Sequence, residues 1–257
     1  MTPLVLVHGF MGGSDQWRPQ APLAEARHMI TPDLPGFGRN AAMPPIDRIA
    51  DFADWVLDHL TAQGVAEFDL LGHSMGGMIA QEMIARAPGR VRRLVLYGTG
   101  AAGDLPGRFE TFDTSRARAT ADGAAATARR IAATWFLDQE AAAEYPACAA
   151  VAEASTLPAI LAGLTAMKGW SRVASLGDIA VPTLVLWGDG DRTYRWAQTQ
   201  ELWQSIPGSQ LAVVPGCAHA VHMERPGIFN SLVSEFLDAA ADATPATVPL
   251  SAAAARG

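Results

Sequence analysis

Phe68-Asp69-Leu70-Leu71-Gly72-His73-Ser74-Met75-Gly76-Gly77 is the stretch that decides the fold. Residues 68–72 read as a buried strand, and 75–87 as a helix that stops at Pro88-Gly89. Ser74 therefore falls on a sharp strand-to-helix turn, with glycines on both sides that let the two elements approach without side-chain clashes. Such a turn aims the Ser74 hydroxyl out of the sheet and leaves the Met75 N–H at a helix N-terminus, facing any oxyanion formed there. The bland alternative is a glycine-rich helix start in which Ser74 is only an N-cap. The rest of the chain has to decide between them.

Outward from this turn, short β-branched and leucine-rich runs alternate with helical patterns, as in βαβ units wound into a mainly parallel sheet. Strands are predicted at 4–8, 29–33, 68–72, 91–97, 183–187 and 210–214. A helix is predicted at 47–63, where Ile46, Ile49, Ala53, Val56, Leu57 and Leu60 recur at helical spacing before Gly64. Another is predicted at 228–241, with an apolar face of Ile228, Leu232 and Phe236. The rhythm breaks at 101–177, which is alanine-rich, helix-like and interrupted by Pro106, Pro146 and Pro158. This stretch is expected to be a cap of about four helices over an α/β core made of 1–100 and 178–242, since ligands in open α/β sheets sit beyond the carboxyl ends of the strands. Residues 243–257 lack period and bulk and read as a disordered tail.

The 257 residues suffice for one large domain with such an elaboration. With 19 Lys+Arg against 26 Asp+Glu, a net charge of -7, there is no basic footprint for nucleic acid. The apolar runs are strand-length, far short of a membrane-spanning helix. The chain enters its first strand directly after Met1-Thr2-Pro3 without a secretory signal pattern, so a cytoplasmic location is the expectation. Cys148 and Cys217 are too few for a disulfide scaffold or a zinc site and read as small apolar residues. A small-molecule substrate is the expected partner; the sequence is silent on oligomeric state.

A hydroxyl nucleophile needs a base within hydrogen-bond reach, an acid to orient that base, and donors for the oxyanion. His8-Gly9-Phe10 ends the first strand, and its loop can deliver the Phe10 N–H to the oxyanion formed at Ser74, with Met75 as second donor. His8 itself reads as a loop-ordering residue. After the last strand comes Pro215-Gly216-Cys217-Ala218-His219-Ala220-Val221-His222. His219, nearer the strand end and flanked by small residues, is the candidate base, and His222 is a candidate for the pocket entrance or a structural role. For the acid, Gly188-Asp189-Gly190-Asp191 offers Asp191, deeper in its loop, with Asp189 as the alternate and Asp33 and Asp104 behind. The order Ser, Asp, His separates this arrangement from those of chymotrypsin and subtilisin.

With these marks, and with Asp33-Leu34-Pro35-Gly36-Phe37-Gly38 and Glu224-Arg225-Pro226, the sequence resembles the α/β-hydrolase fold superfamily over nearly its whole length. Within it, the chain looks like small capped bacterial esterases and lactonases, including those similar to 3-oxoadipate enol-lactonase. The resemblance implies Ser74 as nucleophile, Asp191 as acid, His219 as base, Phe10 and Met75 as oxyanion donors, and no metal or organic cofactor. The sequence departs from the family in lacking the N-terminal strand pair common there, so a sheet of about six strands is expected.

A serine at 74 disfavours the branches that use an aspartate nucleophile. Carbon–carbon bond hydrolases of ring-cleavage products are nearer competitors, but usually carry Gly-Pro-Gly after the oxyanion histidine loop, where this chain has Phe10-Met11-Gly12-Gly13. Cofactor-free haloperoxidases or perhydrolases share every motif, and a small-molecule receptor on the same fold is the non-enzymatic alternative. The cap and loops supply Phe109, Phe112, Trp135, Phe136, Leu161, Met167, Trp170 and Trp196. Trp135, Met167 and Trp170 are the candidate substrate contacts, although stripes of this kind are commonly core packing. Arg129, Arg130 and Lys168 are candidates for a substrate carboxylate, against the plainer reading of a solvated helix face.

Overall fold

Every residue of Leu4–Val7 is apolar and buried, so strand β1 has to lie inside a sheet covered on both faces. The computed structural model describes residues 2–105 and 110–239 and places β1 in that position. In chain order the described elements begin with β1, β2 (Met29–Ile30), helix α1 (Ile49–Ala62), β3 (Phe68–His73), α2 (Met75–Arg86) and β4 (Val91–Tyr97). Four helices follow: α3 (Phe112–Asp122), α4 (Ala124–Ala133), α5 (Tyr145–Glu153) and α6 (Leu157–Met167). The chain then returns to the sheet as β5 (Thr183–Gly188), α7 (Trp196–Ser205), β6 (Gln210–Val214), α8 (Val221–Glu224) and α9 (Pro226–Asp238). The six strands form one sheet in the order β2-β1-β3-β4-β5-β6, and each neighbouring pair is parallel.

Side-chain alternation divides the core in two. Val5, Val7, Leu70, Leu94, Leu96 and Val185 pack with α1 and α2 on one face. Leu4, Leu6, Leu71, Val95, Tyr97, Leu184 and Leu186 pack with Trp17, Leu23 and α9 on the other. Two sequence expectations shift. β2 is only two residues long, since it pairs with β1 alone and runs into Pro32, which has no N–H for the ladder. Helix α9 buries Phe229, Val233, Phe236 and Leu237, whereas Ile228 is exposed. Both stripes have helical spacing and share Phe236, so periodicity alone does not choose between them.

The chain leaves the sheet after β4 and comes back through a short antiparallel stem, Ala102 opposite Ser171, closed by Gly103 N–H to Trp170 O at 2.9 Å and Arg172 N–H to Ala101 O at 2.7 Å. Thr111 and Thr156 cap α3 and α6 by accepting the N–H groups of Thr114 and Ala159. Pro146 and Pro158 lie in the first turns of α5 and α6, where a missing N–H costs nothing, so they start helices rather than interrupt them. Pro106 and Phe109, and the tail at 243–257, lie outside the described residues.

Candidate active site

Ser74 occupies the turn between β3 and α2 with φ 56° and ψ -122°. A non-glycine residue held there costs about 1–3 kcal/mol, and persists only where the surroundings fix it. Here they do. Its N–H donates to Tyr97 O at 3.0 Å, and its carbonyl accepts from Gly77 N–H at 2.9 Å and Thr99 Oγ1 at 2.7 Å. The turn also needs contact too close for any side chain: a Cβ on Gly76 would stand 2.2 Å from Val7 O, and one on Gly72 2.4 Å from Gly76 O.

The loop after β1 lies directly against the serine, since a Cβ on Gly9 would sit 2.8 Å from Ser74 Cβ and 3.4 Å from its Oγ. This brings the Phe10 segment beside the hydroxyl, while Met75 opens α2 with an N–H that has no acceptor within its own helix. His8 orders the loop. Its Nε2 accepts from Leu34 N–H at 2.9 Å, so the proton sits on Nδ1 and is donated to Gly9 O at 2.8 Å. Complete burial lowers the His8 pKa and favours this neutral form.

Asp191 and His219 form a buried pair, Nδ1 to Oδ2 at 2.8 Å. The other carboxylate oxygen accepts from the N–H groups of Thr193 at 2.7 Å and Tyr194 at 3.1 Å, which fixes the carboxylate plane. The three alternates are engaged elsewhere. Asp189 is exposed and accepts from Gly216 N–H, Asp33 accepts from the N–H and hydroxyl of Ser14, and Asp104 accepts from Gly169 N–H. Around His219 the loop is tied down twice: Ala218 N–H donates to Glu224 Oε2 at 2.6 Å and Ala220 N–H to Trp135 O at 2.9 Å. Glu224 Oε1 also accepts from Leu137 N–H at 2.7 Å, so this residue joins the histidine loop to the segment after α4.

Ser74 opens into a cavity of about 60 Å³ that is walled by Phe10, Leu105, Ile131, Trp135, Met167 and Tyr194. Tyr194 stacks on the His219 ring at 5.7 Å and Trp135 lies 6.3 Å from it, so the histidine sits between two walls of the serine's cavity. Trp135 and Met167 are thus in the expected place. Trp170 and His222 do not line this cavity and are corrected. The Trp170 indole N–H donates to Glu82 Oε1 at 2.9 Å, and His222 is buried against Trp17 and Tyr97 on the other side of His219. Of the cations considered for a substrate carboxylate, Arg129 is paired with Glu153 and Lys168 with Asp113 on the exposed surface, while Arg130 is half-buried, 3.5 Å from Glu110 and 4.0 Å from Asp122, with its Nε and Nη2 making no hydrogen bond; none of the three lines the cavity. Cys148 and Cys217 are free thiols whose pKa burial pushes up to about 12, which keeps them protonated.

Sequence reasoning missed Tyr194, which both walls the cavity and covers His219, and a buried ring cluster beside His219. In that cluster His73 stacks on Tyr97 at 4.5 Å and lies 4.6 Å from His219 and 5.1 Å from His222. The signal available was position: Tyr97 closes β4, His73 precedes Ser74, and His222 follows His219 by three residues.

Comparisons with known proteins bear on the family and the fold. The family model for the alpha/beta hydrolase fold matches residues 2–226. The chain is 31% identical to the 2-hydroxymuconate semialdehyde hydrolase of Pseudomonas sp. (strain CF600), over 94% of this chain and 88% of that one. It is 27% identical to the "Putative carbamate hydrolase RutD" of Agrobacterium fabrum (strain C58 / ATCC 33970), over 91% of this chain and 93% of the relative. Among solved structures, the enol-lactonase from Burkholderia xenovorans LB400 superposes with a TM-score of 0.83, covering 92% of each chain at 24% identity, a likeness of fold. By sequence motif, sheet topology and family match together, the chain belongs to the α/β-hydrolase fold family.

Proposed function

We propose that the protein hydrolyses a small, neutral carboxylic ester or lactone through an acyl-enzyme on Ser74. The observation that carries this reading is the strained Ser74 facing an apolar cavity which, among the described residues, has no charged side chain in its wall. At about 10–15 Å³ per water-sized occupant, 60 Å³ holds roughly four to six heavy atoms, which suits a short acyl group. In this mechanism His219 Nε2 accepts the Ser74 proton as Oγ attacks the carbonyl carbon. Asp191 holds the imidazole with its proton on Nδ1 and stabilises the imidazolium that forms. The Met75 and Phe10 N–H groups meet the oxyanion. The imidazolium then protonates the leaving alkoxide, and a water activated by His219 releases the acid.

A second reading is carbon–carbon bond hydrolysis, which the likeness to a 2-hydroxymuconate semialdehyde hydrolase favours. Ring-cleavage products of that kind carry a carboxylate, whereas among the described residues no cation lines the Ser74 cavity, and Arg129 and Lys168 are paired with Glu153 and Asp113. A panel of p-nitrophenyl acetate, butyrate and octanoate, simple lactones and vinylogous diketone acids separates the two. Turnover of short esters or lactones well above that of diketone acids supports the proposal, and the reverse order replaces it with the second reading.

A further inference from the structure

One carbonyl, that of His219, fixes the protons of the ring cluster behind the base. A carbonyl only accepts hydrogen bonds, and this one faces two ring groups, Tyr97 OH at 2.7 Å and His73 Nε2 at 3.2 Å. Both must therefore donate. With its proton on Nε2, a neutral His73 has a bare Nδ1, and that atom faces a donor, the Gln16 side-chain NH2 at 3.4 Å. Tyr97, having given its one proton to His219 O, can only accept from its other neighbours. Those are the His222 backbone N–H at 3.2 Å and His222 Nδ1 at 3.0 Å, so His222 carries its proton on Nδ1. His222 Nε2 is then bare, and it is a buried atom with no protein partner. Each assignment follows from the one before, and none conflicts with another.

We propose that Tyr97 and His73 are positioning residues that aim the His219 imidazole by jointly holding its main-chain carbonyl, through a single arrangement of protons across His73, Tyr97 and His222. The side chain of His219 is held at Nδ1 by Asp191 and its main chain by this clamp, so the direction of Nε2 is set at both ends. His73 adjoins Ser74 in sequence and Tyr97 O accepts the Ser74 N–H, so the same two residues also place the serine. Nucleophile and base are thus referenced to one pair of rings and not merely to separate loops. Complete burial keeps both histidines neutral, as the arrangement requires: it lowers the His73 pKa well below the ordinary value, with His219 and His222 adding to the effect, and lowers that of His222 to about 3.

The inference rests on His219 being the base, and its test separates the two. Wild-type protein labelled with ¹⁵N-histidine, measured at pH 7, should show His73 as the Nε2–H tautomer and His222 as the Nδ1–H tautomer, whether or not any ester is turned over. Either ring in the opposite tautomer, or as an imidazolium, overturns the proposal. In a protein active on a short ester, Tyr97→Phe should lower kcat by about 10- to 100-fold, the cost of a displacement of up to about 1 Å, with KM unchanged. His73→Gln, which keeps an N–H donor, should retain several times the kcat of His73→Phe. A Tyr97→Phe variant with a lower melting temperature but wild-type kcat would assign the clamp to stability alone. If that variant does not fold, the tautomer measurement decides.

Discussion

Asparagine at position 191 changes one carboxylate oxygen to an NH2, and the surroundings dictate which. Oδ1 accepts from two backbone donors, Thr193 N–H at 2.7 Å and Tyr194 N–H at 3.1 Å, so the amide oxygen takes that side and the NH2 turns to His219 Nδ1. The imidazole must then present a bare Nδ1 and carry its proton on Nε2, the tautomer that cannot accept a proton from Ser74. Recovering the productive tautomer means flipping the amide, which sets its NH2 against one part-buried donor, Thr193 N–H, and one buried donor, Tyr194 N–H. At about 1–3 kcal/mol for each group left unsatisfied, the flip costs about 2–6 kcal/mol. That converts to a loss of about 30-fold to about 3 × 10⁴-fold in kcat/KM for Asp191→Asn. Initial rates on p-nitrophenyl acetate measure the loss, with thermal unfolding to show that the fold is kept. Asp189→Asn is the comparison: its carboxylate is exposed and bonds only Gly216 N–H, so kcat/KM should stay within about twofold of wild type. A folded Asp191→Asn variant within about threefold of wild type, or an equal loss in Asp189→Asn, would refute the reasoning.

Gly9→Ala forces a Cβ to 2.8 Å from Ser74 Cβ, about 0.8 Å inside an ordinary carbon–carbon contact, so the oxyanion loop must retreat by that amount. Short-ester kcat should fall by about 10- to 100-fold with little loss of stability by denaturant titration. Trp135→Ala removes one wall of the 60 Å³ cavity, and the ratio of octanoate to acetate turnover should rise by about tenfold or more in a steady-state assay. Stability should fall as pH drops from 7 to 5. His222 takes up a proton near pH 6.5 when unfolded but only near 3 when folded, so the unfolded state binds more protons across that range and stability rises with pH. Its share of the loss is about 2 kcal/mol, readable by urea titration at the two pH values, and His222→Gln should flatten the slope by up to one proton.

Much of this was legible in the sequence because it is local. The strand-turn-helix around Ser74 is set by five consecutive residues, and the parallel sheet by short apolar runs whose ends fall within a few residues of the predicted ones. For Ser74, Asp191 and His219, the rule that ligands sit beyond the carboxyl ends of parallel strands narrowed the candidates to strand-end loops, and the resemblance to the family chose among the acids there. What stayed hidden is long-range. Which stripe of α9 faces the sheet depends on how Phe229 and Val233 meet β4 and β5, not on spacing within the helix. The exclusion of Trp170 from the cavity depends on Glu82, 88 positions away in sequence. The clamp on His219 joins Gln16, His73, Tyr97 and His222, which share no motif; placement at a strand end or near Ser74 and His219 marked the last three, and nothing local marked Gln16.

The central claim, that Ser74 is the nucleophile, is tested most directly by covalent labelling with a fluorophosphonate followed by peptide mapping. One label per chain is expected, on Ser74, appearing in proportion to the loss of ester turnover, with Ser74→Ala folded, unlabelled and inactive. A label mapped to another residue, or a folded Ser74→Ala protein that keeps near-full turnover, would contradict it.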